Sequence, residues 1–218
     1  MTREEESRPR RPLEYENGLR GRGIRAVAGV DEVGRGPLAG PVLAAAVILP
    51  EGCLIEGAGD SKTLSAIRRE SLCREILARA EAVGIGAASV REIDQENIAV
   101  ATARAMARAL QALASPPDHV VVDGLPVRRL GWKHEAVVGG DGLIHSIACA
   151  SIVAKVHRDR LMRRLAQRYP AYGWATNVGY GTPEHMRALR EFGPSPHHRL
   201  TFGGVQLEMG LEVPDQGR

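Results

Sequence analysis

Aromatic residues, cysteines and long hydrophobic runs are scarce in this sequence, and each scarcity excludes a class of protein. Only 4% of the 218 residues are aromatic, so alanine and aliphatic side chains must fill most of the core. The three cysteines, Cys53, Cys73 and Cys149, lie far apart and form no C-x-x-C pair. This spacing argues against a disulfide framework and against a zinc site. No stretch approaches the roughly 20 apolar residues of a membrane span.

Charge and the N-terminal residues point to an ordinary soluble protein. The formal net charge of +3 is small and argues only weakly for an anionic partner. The N-terminus, Met-Thr-Arg-Glu-Glu-Glu, is too acidic for a secretory signal and lacks an apolar run. We therefore expect a cytoplasmic protein, monomeric and without a membrane partner.

Apolar periodicity predicts one globular domain between two tails. Residues 1–22 are rich in Arg, Glu, Pro and Gly, and residues 214–218 are similar, so both are expected to be disordered or loosely attached. Residues 23–213 contain no obvious linker or repeat, and strands followed by alternating helices and strands favour an α/β fold with a helix-covered mixed sheet. The predicted strands span 24–33, 42–49, 83–90, 119–122 and 135–138, and the predicted helices span 63–82, 92–114 and 146–168.

Acidic residues stand at or just after the ends of three predicted strands. These are the pair Asp31 and Glu32, then Asp123, then Asp141. Ligand sites in open α/β sheets gather at strand ends, and clustered carboxylates repel each other unless a cation is present. Mg²⁺ and Mn²⁺ prefer oxygen ligands, and two such ions can drive phosphodiester cleavage. The alternative is that the Asp-Gly pairs at 123 and 141 are ordinary turns.

Two glycine-rich segments predict loops that a ligand can approach closely. Gly34, Arg35 and Gly36 follow the first acidic pair, and the small residues leave room for another backbone. Tyr180 is flanked by glycines, so its ring could stack on a sugar or a base. The alternative for Tyr180 is a surface turn with a partly buried ring.

The last long predicted helix carries cations along its second half. Such a face attracts phosphates, although charge runs are usually solvated faces. Lys155 in addition projects from a mostly buried segment, which is unusual without an anionic partner. The cations are Lys155, Arg158, Arg160, Arg163, Arg164 and Arg168, against the single acid Asp159.

Taken together, these segments resemble the type 2 ribonuclease H family (RNase HII). The matching blocks follow the family's order from about residue 24 to about residue 205, and the first block and the block 146–155 are highly specific. The blocks are 29–42, 60–62, 122–124, 140–141, 146–155 and 179–182.

The resemblance implies a ribonuclease-H-like mixed sheet flanked by helices, with a C-terminal helical extension. It implies an endoribonuclease that cleaves the RNA strand of RNA–DNA hybrids and incises 5′ of single ribonucleotides in duplex DNA, as in primer removal and ribonucleotide excision repair. The products would carry a 3′-hydroxyl and a 5′-phosphate, and two Mn²⁺ or Mg²⁺ ions would be the cofactors.

The resemblance also assigns roles to individual residues. It implies metal ligation and catalysis by the four acids, reading of the 2′-hydroxyl by the Gly-Arg-Gly loop, and reading of the RNA–DNA junction by the tyrosine. At positions 63, 139 and 178 the family often has lysine, and this chain does not, so positive charge near the substrate is reduced. The implied residues are Asp31, Glu32, Asp123 and Asp141 for metal, and Gly34, Arg35, Gly36, Lys62, Lys155 and Tyr180 for substrate.

Two rival functions remain open from the residues alone. A non-catalytic nucleic-acid-binding protein could use the basic helix and the tyrosine loop, but it would need neither convergent carboxylates nor metal. A general metal-dependent nuclease of the same superfamily would cut hybrids and ignore a single ribonucleotide. A dinucleotide-binding oxidoreductase fits poorly, because the glycine spacing is off by one and the adjacent acids would repel a pyrophosphate.

Overall fold

The computed structural model describes residues 13–59 and 64–209, and within them five strands form one mixed sheet. The strands are β1 (Val27–Val33), β2 (Val42–Ile48), β3 (Ala82–Ala88), β4 (His119–Asp123) and β5 (Glu135–Val137). Their order is β3-β2-β1-β4-β5, antiparallel from β3 to β1 and parallel from β1 to β5. The predicted mixed sheet is confirmed, and its strands lie close to the predicted bounds.

Helices surround the sheet, as the sequence predicts. Short 3₁₀ turns at Gly140–Gly142 and Pro170–Tyr172 precede and follow the longest helix. The helices are α1 (Glu14–Arg20), α2 (Ala66–Arg79), α3 (Val90–Glu96), α4 (Ile98–Gln111), α5 (His145–Arg168), α6 (Trp174–Asn177), α7 (Pro183–Phe192) and α8 (Gly203–Glu208).

Glycines in the sheet let a helix approach each face closely. A Cβ atom at Gly84 of β3 would lie 2.0 Å from the backbone oxygen of Ala109 in α4. A Cβ atom at Gly29 of β1 would lie 2.3 Å from the backbone nitrogen of Ile147 in α5. Neither position accommodates a side chain, so α4 and α5 cover opposite faces at short range. The small-residue start of α5 thus lies directly behind β1.

The prediction of a loose tail over residues 1–22 is wrong for the part that the structure describes. Residues 14–20 form α1, and Leu19 is buried against the sheet and α5. Glu16 is buried as well, and its carboxylate accepts a hydrogen bond from the backbone N–H of Ser146 at 2.8 Å. An acid at a helix N-terminus stabilises that helix. Residues 1–12 and the predicted tail 214–218 lie outside the described residues.

The single predicted helix 92–114 consists of two helices, α3 and α4, which meet at Asn97. The φ angle of Asn97 is +80°, a value that interrupts a helix. Its side chain accepts hydrogen bonds from the N–H groups of Ala99 and Val100 at 2.9 and 3.1 Å, so it caps α4.

The C-terminal helices form their own small core around Trp174, which is fully buried. This core includes Met162 of α5 and Ala39 of the β1–β2 loop. The predicted C-terminal helical extension therefore packs against the loop that follows β1. Across residues 13–59 and 64–209, every helix is too short or too polar to cross a bilayer.

Candidate active site

The parallel pairing of β1 and β4 places two of the predicted acids side by side. Val30 is the register partner of Val122, so the next residues, Asp31 and Asp123, occupy neighbouring positions on adjacent strands. Adjacent strands lie about 4.8 Å apart, and residues in register point to the same face. The structure thus brings Asp31 and Asp123 together at the carboxyl end of the parallel pair.

Asp31 lies in an environment that disfavours its charge. It is 7% exposed, and burial raises the pKa of its carboxyl group to about 7, with the nearby carboxylates of Glu32 and Asp123 adding to the rise. Hydrogen bonds from the Ser151 side chain and from the Glu32 N–H, the latter at 2.7 Å, oppose it. A buried carboxyl group with like charges around it binds a cation readily, because the cation removes the repulsion.

Glu32 connects the acids to the glycine loop. Burial raises the pKa of Glu32, the guanidinium of Arg35 opposes the rise from 3.2 Å away, and Asp123 adds to it. Glu32 therefore lies within electrostatic reach of Asp123 although it neighbours Asp31 in the strand. Glu32 pairs in regular register with Ala44 of β2, and β1 ends one residue later, at Val33.

Asp141 reaches this edge of the sheet on the 3₁₀ turn after β5. The N–H of Gly140 donates to the Asp123 carboxylate at 2.6 Å. A Cβ atom at Gly140 would lie 2.7 Å from Ile147 Cδ1, so glycine permits the close approach. The turn that carries Asp141 is thereby tied to Asp123.

The acids supply negative charge and oxygen donors, although their side chains do not converge on a single point. Nowhere in residues 13–59 and 64–209 do three acidic, histidine or cysteine side chains already converge on one point as metal ligands. Carboxylate oxygens and unrelieved repulsion nevertheless fit a hard divalent cation, which prefers such donors. The residues present therefore suit Mg²⁺ or Mn²⁺ by chemistry.

The loop Gly34–Gly36 lies beside Tyr180. A Cβ atom on Gly36 would be 3.5 Å from Cε1 of the Tyr180 ring, and that side chain is 48% exposed. The structure thus brings the two predicted substrate-reading segments together, one after β1 and the other before α7. Through Glu32 and Arg35 they join the acids on one surface.

A buried chain of side chains holds the backbone of Tyr180. The Ser195 N–H donates to Nδ1 of His198 at 2.8 Å, so the proton of His198 sits on Nε2 and points to Nε2 of His185, 2.9 Å away. Trp174 also donates to that nitrogen, at 3.2 Å. Nδ1 of His185 is then the donor to the Tyr180 carbonyl at 2.8 Å. These histidines have no recognised ligand spacing in the sequence, and their hydrogen-bonded chain follows from their burial in the fold.

This histidine chain makes stability depend on pH. Burial, with His185 next in effect, lowers the pKa of His198 from 6.5 to about 4. The unfolded chain takes up the proton first, so stability is complete above pH 6.5 and falls as the pH drops towards 4. The full loss corresponds to about 3 kcal/mol. Denaturant unfolding between pH 7 and 4 measures it, and His198→Gln should flatten the profile. An equally steep profile in that variant would exclude His198 as the source.

The predicted basic face of α5 is mostly engaged within the protein. Lys155 donates to Asp159 at 2.8 Å, which gives this lysine an internal anionic partner. Arg158 is fully buried and donates to backbone carbonyls, so its predicted contribution to a phosphate-binding face is wrong. Arg160 and Arg163 pair with Glu70 of α2, and Lys62 lies outside the described residues.

Carboxylates gathered at strand ends of such a sheet are typical of a metal-dependent nuclease, and the chain is similar to nucleases of one family. The family model for ribonuclease HII matches residues 28–205. Ribonuclease HII of Thermosynechococcus vestitus is 55% identical over 192 residues, covering 87% of this chain and 89% of that protein. Ribonuclease H2 from Pyrococcus horikoshii OT3 is 27% identical, with a TM-score of 0.72 over 84% of this chain and 97% of the other. Bst-RNase HIII in complex with Mn²⁺, 17% identical with a TM-score of 0.65 over 86% of this chain and 70% of the other, shares the fold.

The chain belongs to the ribonuclease HII family. Members of this family are endoribonucleases that depend on a divalent metal, and this chain is such an enzyme. The predicted family membership, fold class and enzyme class are confirmed. The roles of individual residues stay predictions.

Proposed function

We propose that this enzyme cleaves the RNA strand of RNA–DNA hybrids and also incises 5′ of a single ribonucleotide embedded in duplex DNA. The products would carry a 3′-hydroxyl and a 5′-phosphate, as primer removal and ribonucleotide excision require. One observation carries the proposal: the repelling carboxylates lie on one continuous surface with the exposed loop residues Arg35 and Gly36 and with Tyr180. The Glu32–Arg35 pair and the Gly36–Tyr180 contact join the two parts.

Asp31, Glu32, Asp123 and Asp141 would hold two divalent cations, Mn²⁺ or Mg²⁺. When bound, these cations would supply the acidity that ionises the attacking water and neutralise charge on the leaving oxygen. The protein fixes the ligands: the Ser151 side chain is hydrogen-bonded to Asp31, and the Gly140 N–H donates to Asp123. Each of the two carboxylates is thereby held in one orientation.

Specificity for RNA would come from the loop and the tyrosine. The 2′-hydroxyl is the only group on the sugar that distinguishes RNA from DNA. Backbone groups of the exposed residues Arg35 and Gly36 can reach it because the glycines at positions 34 and 36 carry no side chains. The half-exposed ring of Tyr180 would then press on the sugar of the following deoxynucleotide.

Metal affinity should weaken as the pH falls below 7. The pKa of Asp31 is raised to about 7, and a protonated carboxyl group does not ligate a cation. We expect the Mg²⁺ concentration for half-maximal cleavage to rise about tenfold per pH unit below 7, because one proton competes with the cation for the Asp31 carboxylate. Metal titrations of the rate at pH 6, 7 and 8 measure this, and a half-maximal concentration independent of pH would contradict it.

A panel of three duplexes tests the proposed function. The substrates are a uniform RNA–DNA hybrid, a DNA duplex with one ribonucleotide, and the all-DNA duplex, each assayed with Mg²⁺ or Mn²⁺ and with a chelator. We expect metal-dependent cleavage of the first two only. Binding without cleavage would favour the non-catalytic rival, and cleavage of the hybrid alone would favour a general nuclease. The predicted cytoplasmic location and monomeric state stay predictions.

A further inference from the structure

A second feature of the glycine loop is the buried cation beneath it. The guanidinium of Arg199 is 0% exposed and donates only to backbone carbonyls of the segment 34–40. Nη1 donates to the Arg35 carbonyl at 2.8 Å, and Nη2 donates to those of Gly34 and Gly40 at 2.5 and 2.8 Å. Nε donates to the Gly40 carbonyl at 3.0 Å. In the parts of the chain that the structure describes, no carboxylate forms an ion pair with this guanidinium.

The directions of these carbonyl groups determine where the N–H groups of the next residues point, because each peptide unit is planar. In a trans peptide the C=O of one residue and the N–H of the next point in opposite directions. Because Arg199 holds the carbonyls of Gly34 and Arg35 inward, the N–H groups of Arg35 and Gly36 point outward. Both residues are exposed, and neither N–H has a hydrogen-bond partner among the described residues.

Two successive, unpaired N–H groups form a small receptor for an oxygen atom. Consecutive backbone donors that face the same way bind anions and other acceptors. This pair lies between Glu32, at the acids, and Tyr180, at the junction-reading loop.

We propose that Arg199 is a positioning residue for recognition of the 2′-hydroxyl: it fixes the two N–H groups so that both donate to the hydroxyl oxygen of the ribonucleotide. This inference rests on the proposed function. It assigns a role to a residue far along the chain from the loop, on the segment 195–201. The planar fork of a guanidinium is needed, because an ammonium cannot bond several carbonyls in a fixed plane.

The segment that carries Arg199 is itself firmly attached. The Arg199 N–H donates to the Leu38 carbonyl at 2.9 Å, and the Gly40 N–H donates back to the His197 carbonyl at 2.8 Å. Phe202 covers the guanidinium from one side, with its ring centre 4.9 Å away. Asp94 of α3 accepts hydrogen bonds from the segment's next residues. The backbone of Arg199 is therefore fixed by hydrogen bonds and its guanidinium is covered by a ring, so the side chain has little freedom to move away from the loop.

Arg158 offers a matched control. It is also fully buried and donates to three carbonyls, those of Pro41, Val178 and Ala39, at 3.1, 2.9 and 3.1 Å. It makes no hydrogen bond to the carbonyls of Gly34 or Arg35. Arg158→Lys and Arg199→Lys thus remove comparable buried guanidinium groups. The Arg158 side chain packs against Gly34, but only Arg199 hydrogen-bonds the carbonyls whose orientation directs the two N–H groups outward.

The test measures single-turnover cleavage of two duplexes that carry either one ribonucleotide or one 2′-fluoro nucleotide at the same position. The ratio of the two rates reports recognition of the hydroxyl and cancels general losses of folding or metal binding. We expect Arg199→Lys to lower this ratio about tenfold, as the loss of well-oriented hydrogen bonds would. Arg158→Lys should lower both rates together and leave the ratio unchanged.

Each alternative result is decisive. An unchanged ratio in Arg199→Lys, or an equal drop in both lysine variants, would overturn the inference and leave the proposed function intact. A wild-type enzyme that cuts both duplexes equally would overturn the proposed function and the inference with it. If Arg199→Lys does not fold, Phe202→Leu carries the test: we expect the ratio to fall about threefold, and an unchanged ratio overturns the inference.

Discussion

Asp31→Asn is expected to lose at least about 100-fold in turnover while the protein stays folded. Changing a residue that merely orients a metal ligand costs about 10–100-fold, so loss of a ligating charge should cost more. The substitution keeps the shape of the side chain, and we expect Asp123→Asn to behave alike. Single-turnover rates at saturating Mn²⁺, with circular dichroism as a check on folding, measure the effect.

The same variant should be more stable than the wild type without metal. The folded pKa of Asp31, about 7, exceeds its ordinary 3.8, so wild-type stability falls as the pH rises from about 4 to 7. Asparagine removes this loss, and the unfolding temperature at pH 8 with a chelator should rise. Asp118→Asn is the control, since Asp118 lies at the opposite end of the same strand pair and binds the N–H groups of Arg25 and Ala26. Near-normal turnover in Asp31→Asn would remove Asp31 from the metal site.

Tyr180→Ala is expected to lower cleavage at a single embedded ribonucleotide by about 10- to 100-fold and to affect a long RNA–DNA hybrid less. Stacking of an aromatic ring on a base is worth about 1–3 kcal/mol, or about 5- to 160-fold, and we expect a ring pressed on a sugar to contribute within this range. A long hybrid offers many registers and more contacts, so it depends less on one ring. Rates on both substrates under single-turnover conditions give the comparison.

Tyr180→Phe is the matched control for the ring. It retains the ring that lies against Gly36 and removes only the hydroxyl, so its rates should stay near those of the wild type. An equal loss on both substrates in Tyr180→Ala would show that the tyrosine serves general binding or folding. The junction-reading role would then have to be given up.

The acidic part of the site could be predicted because it depends on local sequence and strand order. Asp31 and Asp123 both end apolar strands, and the parallel register places them side by side. The glycines beside the acids and beside Tyr180 are visible in the sequence, and they predict loops that a ligand can approach closely. The motif resemblance then joined segments that are distant along the chain.

The buried side chains beneath the site could not be predicted, because the pattern of charges along the sequence does not show which charged residues are buried. Arg158 reads as a surface cation and is buried beneath the loop, and nothing in the local sequence marks Arg199. His185 and His198 have no ligand spacing, and their pairing arises when α7 meets the segment after it. The Arg- and Glu-rich composition of residues 1–22 gave no sign of helix α1, which buries Leu19 against the sheet.

Mapping the cut in a DNA duplex with one ribonucleotide tests the central claim most directly. Hydrolysis by an external water at the acids predicts a single metal-dependent cut 5′ of the ribonucleotide, with a 3′-hydroxyl on one fragment and a 5′-phosphate on the other. End-labelled fragments, with and without phosphatase treatment, identify both ends. A cut 3′ of the ribonucleotide that leaves a 2′,3′-cyclic phosphate would show attack by the 2′-hydroxyl itself. That result would contradict the account, because such attack needs neither the carboxylates nor the metal.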